Sequence, residues 1–511
     1  MCATAFGKRE SALDGCGNGR DTCTQTVEFP IRISYPLSVS VCVSLVFQGS
    51  RVANVFRVGN CAGFSGDRVD APAPVVDTLI ELGGPCAVFF ETLGERTVAL
   101  AQLEKRRDPQ RGYEPMLERL LEPILVRCAR HAIPIIGNFG AANPPGAARV
   151  IARLALRLGL PELKIGVVYG DDVRERLDLK THEVYEADTG LNMGGGEVVS
   201  ANAYLSAKPM VDALKAGAQI VVTGRTGDPS LALAPLIHHF GWRYDDWASL
   251  ATGATAGHLL ECGAQITGGY YYDPGYKDIP DPANIGFPIA EVDADGRLVI
   301  TKAARTGGLV NAQVVKEQLL YEIHDPAHYI TPDVTLDFSQ VTIHEIGKDR
   351  VEVRGVRGGP APQKIKATVC FDGGWMGEGE ISYAGPNCLA RARAAAEVLL
   401  ERLKLRKLAV EARVDLIGIA SVHDGDGGSR WRTYESGEPQ DIRVRLAVSA
   451  RTQDDADQAA REALALYCCG PAGGGGVRWR TTPRIRTQSY LMLPGDLAPG
   501  CRVQSAAEIA A

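Results

Sequence analysis

Residues 133–170, IPIIGNFGAANPPGAARVIARLALRLGLPELKIGVVYG, contain the pattern that decides the fold. A short apolar run (133–138) leads through a glycine- and proline-rich loop into an Ala/Leu/Arg stretch with helical spacing, and a second apolar run (163–170) follows. CAVFFE at 86–91 and AQIVVTG at 218–224 repeat this scheme. Because short buried strands that alternate with helices form parallel sheets covered on both faces, the sequence predicts an α/β fold with a mostly parallel sheet and flanking helices.

The pattern changes after Thr331, where polar and apolar residues alternate. Such alternation is typical of antiparallel strands, and it occurs in QVTIHEIG (340–347), KIKATVCF (364–371) and IRVRLAVSA (442–450), with a helix predicted between the last two. This order predicts a smaller α+β C-terminal domain, either ferredoxin-like or a sandwich. We therefore expect a poorly structured N-terminal extension at 1–53, an α/β domain with the active-site cleft at 54–335, and the α+β domain at 336–511.

Composition and charge exclude several classes of protein. The chain has 511 residues, of which 45% are hydrophobic and 23% charged, as in ordinary globular proteins. A formal net charge of −6, without a stripe of Lys and Arg, argues against a nucleic-acid partner. The 13 cysteines form no C-x-x-C pair, which favours reduced thiols and a cytoplasmic protein. The longest apolar run, 35–47, is shorter than the roughly 20 residues of a membrane span, so no membrane partner is expected.

Polar or glycine-rich loops follow each predicted strand, at the edge where ligands bind in open parallel sheets. The first loop, GNCAGFSGDR (59–68), lacks both the G-x-G-x-x-G spacing and the Walker lysine, so no nucleotide cofactor is expected. Taken singly, such residues are often helix N-caps or parts of packed turns. Together they predict a shared polar cleft. The candidate substrate-binding residues are Asn60, Gly63, Ser65, Gly66, Asp67, Arg68, Glu95, Arg96, Asn138, Asn143, Asp171, Gly194, Gly195, Arg225, Thr306 and Gly307.

Two of these glycine turns are candidate anion sites. Gly194 and Gly195 belong to a three-glycine turn whose amides can form a nest, although a flexible connection is the alternative. Thr306 and Gly307 precede a helix predicted at 312–323, where free amides would attract an anion. The tyrosine-rich stretch around them, which a packed hairpin would also explain, adds the candidates Lys302, Glu317, Tyr321, Asp325, Tyr329 and Asp333.

Proton transfer requires side chains that titrate near neutral pH. We predict that His258 or His239, together with Glu91 or Asp228, transfers the proton. A buried or capping histidine is the alternative in each case. His258 lies three residues before Glu261, and with His238 or His239 this pair would offer three ligands to a divalent metal, although no metal-binding motif supports such a site. A hydrolase that uses Cys61, Ser65 or Cys262 as its nucleophile lacks the G-x-S-x-G elbow.

Several segments together resemble one known family. GNCAGFSGDR (59–68), NFGAANP (138–144), TGRTGDPSLALAPLIHHFGW (223–242) and GHLLECGAQITGGYYYDPGYKDIPD (257–281) resemble the acyclic terpene utilisation family AtuA, and the resemblance covers roughly residues 56–490. It implies a cytosolic protein of bacterial type, encoded among genes that degrade branched acyclic acids as coenzyme A thioesters, such as citronellyl and geranyl derivatives. Some members carry or pair with a small ferredoxin-like domain, which leaves open a small ferredoxin-fold partner subunit.

Two functions from different classes follow. The first is a lyase or hydratase that acts on a branched carboxylic acid or its CoA thioester, in which Arg68, Arg225 and the glycine loops bind the carboxylate or stabilise an enolate. The second is a non-catalytic accessory or scaffold subunit of an acyl-CoA pathway, in which the polar groups of the cleft would be dispensable. We expect a homo-oligomer, as is common for metabolic proteins.

Overall fold

The computed structural model describes residues 55–185, 196–422, 427–433 and 439–511, so the predicted extension at 1–53 lies outside the described residues. In chain order, its strands are β1 (Val55–Asn60), β2 (Cys86–Phe90), β3 (Ile135–Gly137), β4 (Lys164–Tyr169), β5 (Glu183–Val184), β6 (Val198–Ala203), β7 (Ile220–Val222), β8 (Pro288–Asp293), β9 (Leu298–Lys302), β10 (Tyr329–Ile330), β11 (Thr335–Asp337), β12 (Thr342–Gly347), β13 (Arg350–Arg354), β14 (Arg357–Gly359), β15 (Ile365–Ala384), β16 (Val410–Ile417), β17 (Asp441–Ala450), β18 (Gly475–Met492) and β19 (Gly500–Ser505). Its α-helices are α1 (Pro72–Leu82), α2 (Glu95–Arg107), α3 (Leu117–Leu121), α4 (Leu125–Arg130), α5 (Pro144–Arg157), α6 (Lys208–Lys215), α7 (Ser230–Phe240), α8 (Trp247–Leu260), α9 (Ala312–Leu320), α10 (Cys388–Leu405), α11 (Gln453–Ala460), α12 (Glu462–Cys469) and α13 (Ala506–Ala510). Within the described ranges, no helix is long and apolar enough to cross a membrane.

The larger sheet is parallel at its centre and antiparallel at both sides. Its strand order is β12-β13-β9-β8-β1-β2-β3-β7-β4-β19. The neighbours from β1 to β4 in this order run parallel. The hairpin strands on one side and β19 on the other pair antiparallel. The predicted parallel α/β sheet is thus confirmed for the central strands, whereas the sheet as a whole is mixed.

Strand β2 shows why helices cover both faces of this sheet. Successive side chains of a strand point to opposite faces. Ala87 and Phe89 are buried in one core with residues of α6, α7 and α8, whereas Val88 and Phe90 are buried in another with residues of α1 and α5. Because each apolar residue of the run meets a core on its own side, the whole run CAVFF is buried without polar alternation.

The second sheet is the antiparallel one predicted for the C-terminal half. Its order is β16-β17-β15-β18-β5, and β6 also pairs with β15. Helices α10 and α12 contribute to its core around the buried Trp431. Strands β10, β11 and β14 form a small third sheet.

The strands of the two main sheets interleave along the chain. Strands β12, β13 and β19, all beyond residue 335, belong to the larger sheet, while β5 and β6 belong to the second. Residues Val52–Ala511 accordingly form one compact unit. A boundary at residue 335 therefore does not separate the two sheets.

Candidate active site

Polar side chains gather at the carboxyl ends of the parallel strands. Glu91, Asn138, Asp171 and Arg225 each follow one of the strands β2, β3, β4 and β7 within three residues. Asn138 Nδ2 donates to Glu91 Oε1 at 2.8 Å, and the Arg225 amide donates to Asp171 Oδ2 at 2.8 Å. Asp171 packs so closely on Gly224 that a Cβ there would lie 2.4 Å from its carboxylate. The structure thus brings these four predicted residues to one edge of the sheet.

Glu91 is a buried carboxyl, and only one of its two oxygens has hydrogen-bond partners within the described residues. Its Oε1 accepts from the Leu93 amide and from Asn138 Nδ2, whereas Oε2 has no hydrogen-bond partner in the part of the chain that the structure describes. Burial raises the pKa of Glu91 from 4.5 to about 8; the charge of Asp228 acts in the same direction, and Arg225 only partly offsets them. Because Oε1 accepts two N–H donors, the proton of the neutral acid belongs on Oε2, where it is available for transfer.

Arg225 and Asp228 form a bidentate ion pair beside Glu91. The two guanidinium nitrogens donate to Asp228 Oδ1 and Oδ2 at 2.9 and 3.0 Å, and Nη1 also donates to the Leu93 carbonyl. The Arg225 side chain is only 5% exposed, whereas that of Asp228 is 27% exposed. Burial raises the pKa of Asp228, and Arg225 acts against this shift. The two hydrogen bonds from Arg225 orient the Asp228 carboxyl at the cleft.

The second sheet contributes side chains that the sequence analysis missed. Glu95, at the start of α2, accepts from the Tyr204 hydroxyl at 2.8 Å and from Thr368 Oγ1 at 3.0 Å, and it pairs with Lys366 at 3.0 Å. The Tyr204 ring lies 4.1 Å from the Arg225 guanidinium carbon. No sequence motif marks these residues, because only the pairing of β6 with β15 places them beside Glu95.

His258 and Glu261 form a buried pair with a defined proton arrangement. His258 Nε2 lies 3.2 Å from the Leu319 carbonyl, which can only accept, so Nε2 carries the hydrogen. Burial lowers the pKa of His258 to about 4, which leaves Nδ1 as an acceptor. Burial also raises the pKa of Glu261 well above its usual value, and its Oε1 lies 3.3 Å from Nδ1. Neutral Glu261 therefore donates to neutral His258.

Four buried polar atoms at this edge have no protein partner within the described residues. They are Asn60 Oδ1, Thr223 Oγ1, Arg225 Nε and Glu261 Oε2. Asn60 Nδ2 is nevertheless bonded, to the Ala62 carbonyl at 3.0 Å. Since buried polar atoms nearly always have partners, such a concentration at one place is typical of a binding site.

Comparison with known proteins identifies the family of this chain. The sequence model described as "Acyclic terpene utilisation family protein AtuA" matches residues 56–501, which include every strand end of the site. The chain belongs to this family. No curated protein and no solved structure matches it. Membership in the AtuA family supports involvement in acyclic terpene utilisation.

Several residues predicted to bind substrate instead shape the loop after β1. The Gly63 amide donates to Asp67 Oδ2 at 2.8 Å, and a Cβ at Gly63 would lie 2.4 Å from the Cys262 backbone. Burial raises the pKa of Asp67. Arg68 donates to Asp70 at 2.7 Å and to the Ile285 carbonyl at 2.9 Å. The packed turn, which was the alternative interpretation, accounts for these contacts.

Two further candidates are also engaged by the protein itself. Asn143 Oδ1 accepts from the Gly146 amide at 3.1 Å and so caps α5. Thr306 donates to the Ala303 carbonyl at 2.5 Å, and the Gly307 amide donates to the Asn284 carbonyl at 2.7 Å. The predicted amide of Gly307 is thus already paired, and the Thr306 hydroxyl is bonded inside the protein.

The alternative nucleophiles are not activated. Ser65 Oγ donates to Glu114 Oε2 at 2.6 Å, and no histidine base accepts from it within the described residues. Burial raises the pKa of both Cys61 and Cys262. Because the thiolate is the reactive form of cysteine, neither thiol shows the environment of a nucleophile.

His239 lies at the opposite edge of the sheet from Glu91. It is in the last turn of α7, and its ring stacks on Phe56, near the start of β1, with ring centroids 4.7 Å apart. Asp228 precedes the start of α7, so a helix of 11 residues, about 16 Å long, separates the two. The structure therefore does not bring His239 to Glu91 or Asp228. Among the residues described, no group of three or more His, Cys, Asp or Glu side chains has the arrangement of a metal site.

The remaining candidates lie apart from this cluster or outside the described residues. Gly66 and Arg96 are exposed, and Gly194 and Gly195 fall in a part of the chain that is not described. Of the tyrosine-rich segment, Tyr329 lies beside His258 with ring centroids 5.0 Å apart. Asp333 instead accepts from the Ala207 amide at 2.8 Å.

Proposed function

We propose that this protein is a hydratase or lyase acting on a branched carboxylic acid or its CoA thioester, with Glu91 as the proton donor beside the carbonyl. The observation that carries the proposal is the neutral carboxyl of Glu91, with a pKa of about 8 and a free Oε2, next to the oriented carboxylate of Asp228. A carboxyl that keeps its proton beside a second carboxyl paired with an arginine is suited to acid and base roles in one reaction.

The chemistry balances with these two groups. Hydration of a double bond conjugated to a carbonyl forms a C–O bond at the outer carbon and a C–H bond at the carbon beside the carbonyl. Asp228 accepts a proton from the attacking water, and Glu91 Oε2 gives its proton to the carbon. The positive charge of Arg225 stabilises the enolate that develops between these steps. Return of the proton from Asp228 to Glu91 restores the site, and dehydration is the reverse.

His258 has a different place in this proposal from the one predicted. Its neutral ring is already bonded to Leu319 and Glu261, so it serves to position Glu261 rather than to exchange a proton with substrate. The homo-oligomer, the cytoplasmic location and the small ferredoxin-fold partner subunit stay predictions of the sequence.

Deuterium exchange tests the proposal. Wild-type protein is incubated with geranyl-CoA in deuterated water, and mass spectrometry measures deuterium at the carbon beside the carbonyl and the hydrated product. We expect Glu91→Gln to slow both by at least about a hundredfold, which is the usual contribution of a general acid. The rate of hydration should also fall as pH rises through about 8, where Glu91 loses its proton.

A buried carboxyl elsewhere provides the matched control. Glu352, in β13, is 2% exposed and paired with Arg297 and Arg354. Glu352→Gln should lower stability but leave the rate per folded molecule unchanged. Equal rates in Glu91→Gln and wild type would refute the role of Glu91. An absence of turnover and exchange with both the thioester and the free acid would favour the accessory subunit instead.

A further inference from the structure

A cavity of about 450 Å³ adjoins the polar site on the side of α2. It lies between this helix and the segment at 111–115, and Thr92 forms part of its wall. Thr92 directly follows Glu91, and its amide donates to Asn138 Oδ1 at 2.7 Å. The same residue thus belongs to the hydrogen-bond network of Glu91 and to the wall of the cavity.

The far wall of this cavity is fixed by hydrogen bonds from the neighbouring loops. The Glu114 amide donates to the Phe139 carbonyl at 2.9 Å, and the Ala142 amide donates to the Gly112 carbonyl at 2.9 Å. Asn143 Nδ2 donates a hydrogen bond to the Arg111 carbonyl at 2.7 Å. These bonds come from the loop after β3, so the cavity and the polar site share one rigid support.

Gly112 closes one end of the cavity against α2. Its φ is +94°, and a Cβ there would lie 2.7 Å from the Ala101 carbonyl oxygen. Only glycine combines this backbone conformation with so close an approach. The segment at 111–115 therefore packs directly against α2.

The lining of the cavity selects an apolar group. Leu100, Ala101, Tyr113, Pro115 and Ala141 form apolar parts of its wall. The buried Glu114 already accepts from Ser65 Oγ at 2.6 Å and from the Met116 amide at 3.0 Å. The other charged residues of the lining are paired as well, Glu104 with Arg107 at 3.1 Å and Arg111 with Asp108 at 3.6 Å. Because each charged side chain of the lining already has a partner, an uncharged hydrocarbon is the better occupant.

We propose that this cavity binds the branched hydrocarbon chain of the substrate while Glu91 acts at its carbonyl end. The inference rests on the proposed function, since it takes Glu91 as the reacting group. The volume of about 450 Å³ lies within the range of small-molecule pockets, roughly 300 to 1,000 Å³. Each methylene that enters such a cavity contributes about fourfold to affinity, equivalent to about 0.8 kcal/mol.

Calorimetric titration with two acids tests this proposal. The probes are citronellic acid, which has a long branched chain, and butyric acid, which has a short straight one. We expect wild type to bind citronellic acid more tightly. Ala101→Leu adds about three carbons to the wall of the cavity. It should lower the affinity for citronellic acid by about fiftyfold and change the affinity for butyric acid little. Leu100→Ala removes apolar surface from the wall, so it should lower the affinity for citronellic acid severalfold and leave the affinity for butyric acid nearly unchanged. Ala394→Leu, an exposed helical position on α10, is the control and should bind as wild type.

The outcomes separate this inference from the proposed function. Equal binding of citronellic acid by Ala101→Leu and wild type, or no preference of wild type for the longer acid, would overturn the assignment of the cavity. If Ala101→Leu fails to fold, unchanged citronellic acid affinity in Leu100→Ala overturns it instead. Lost deuterium exchange with normal binding in Glu91→Gln, together with weakened binding of citronellic acid in Ala101→Leu, supports both proposals. Normal exchange in Glu91→Gln with weakened binding in Ala101→Leu refutes only the role of Glu91.

Discussion

Replacement of Glu91 by glutamine should stabilise the protein relative to wild type increasingly as pH rises. Glutamine keeps an oxygen that can accept from the Leu93 amide and from Asn138, and it places an amide where the protonated oxygen was. Folded wild type keeps a proton on Glu91 up to about pH 8, whereas the unfolded chain releases this proton near pH 4.5. The folded state of wild type is therefore penalised at alkaline pH, and the variant is not.

The size of the change in the free energy of unfolding follows from the shift in the pKa of Glu91. The pKa of Glu91 rises from 4.5 in the unfolded chain to about 8 in the folded protein, so between these values only the folded state binds the proton. The free energy of unfolding of wild type then falls by about 1.4 kcal/mol per pH unit, and by pH 8 the loss is on the order of 4 kcal/mol. Below pH 4.5 both states are protonated, and the contribution disappears.

Urea unfolding of wild type and Glu91→Gln at pH 5.5 and 8.5 measures this difference. The gap in free energy of unfolding should widen by about 3 kcal/mol between the two pH values in favour of the variant. All other titrating groups are common to both proteins and cancel in the comparison. A gap that stays constant with pH would show that Glu91 ionises normally in the folded protein, and the argument for it as a proton donor would fail with it.

Three further substitutions test the placement of individual residues. Arg225→Lys cannot keep the bidentate pair with Asp228 and should lower the free energy of unfolding by about 3 kcal/mol in urea, and an unchanged value would contradict the buried pair. Asn143→Ala removes the cap of α5 and should cost about 1 to 2 kcal/mol in the same assay, with a cost near zero counting against the capping role. His239→Asn should leave deuterium exchange unchanged, because His239 lies at the other edge of the sheet, and a large loss would show that this placement is wrong.

The location of the site followed from local pattern. Each apolar run predicted a strand, and the residue after the run predicted the strand end, so Glu91, Asn138, Asp171 and Arg225 could be named from the sequence. Glycine loops were less informative. The Thr306 hydroxyl and the Gly307 amide have partners inside the protein, a fact that depends on which carbonyl groups fold next to them.

Histidines show a second limit of the sequence. His239 and His258 belong to consecutive helices. Only His258 has a carboxyl, Glu261, three residues later, but this spacing does not show which of the two histidines reaches the site. Their positions differ because α7 carries His239 away from the carboxyl ends of the strands, whereas His258 lies in the last turn of α8 beside Glu261. The direction in which each helix crosses the sheet therefore decides that His258 belongs to the site and that His239 does not.

The sequence by itself determined the parallel strand and helix units and the polar residues at their ends, because hydrophobic periodicity and loop composition are local properties. The tertiary structure decided what those residues do. Pairing of β6 with β15 brings Tyr204 and Lys366 to Glu95, and Lys366 comes from a part of the chain whose pattern predicts a separate domain. Burial keeps Glu91 neutral to about pH 8. Strand pairing over more than a hundred residues and removal of a carboxyl from water both arise from packing between distant segments, which no local pattern records.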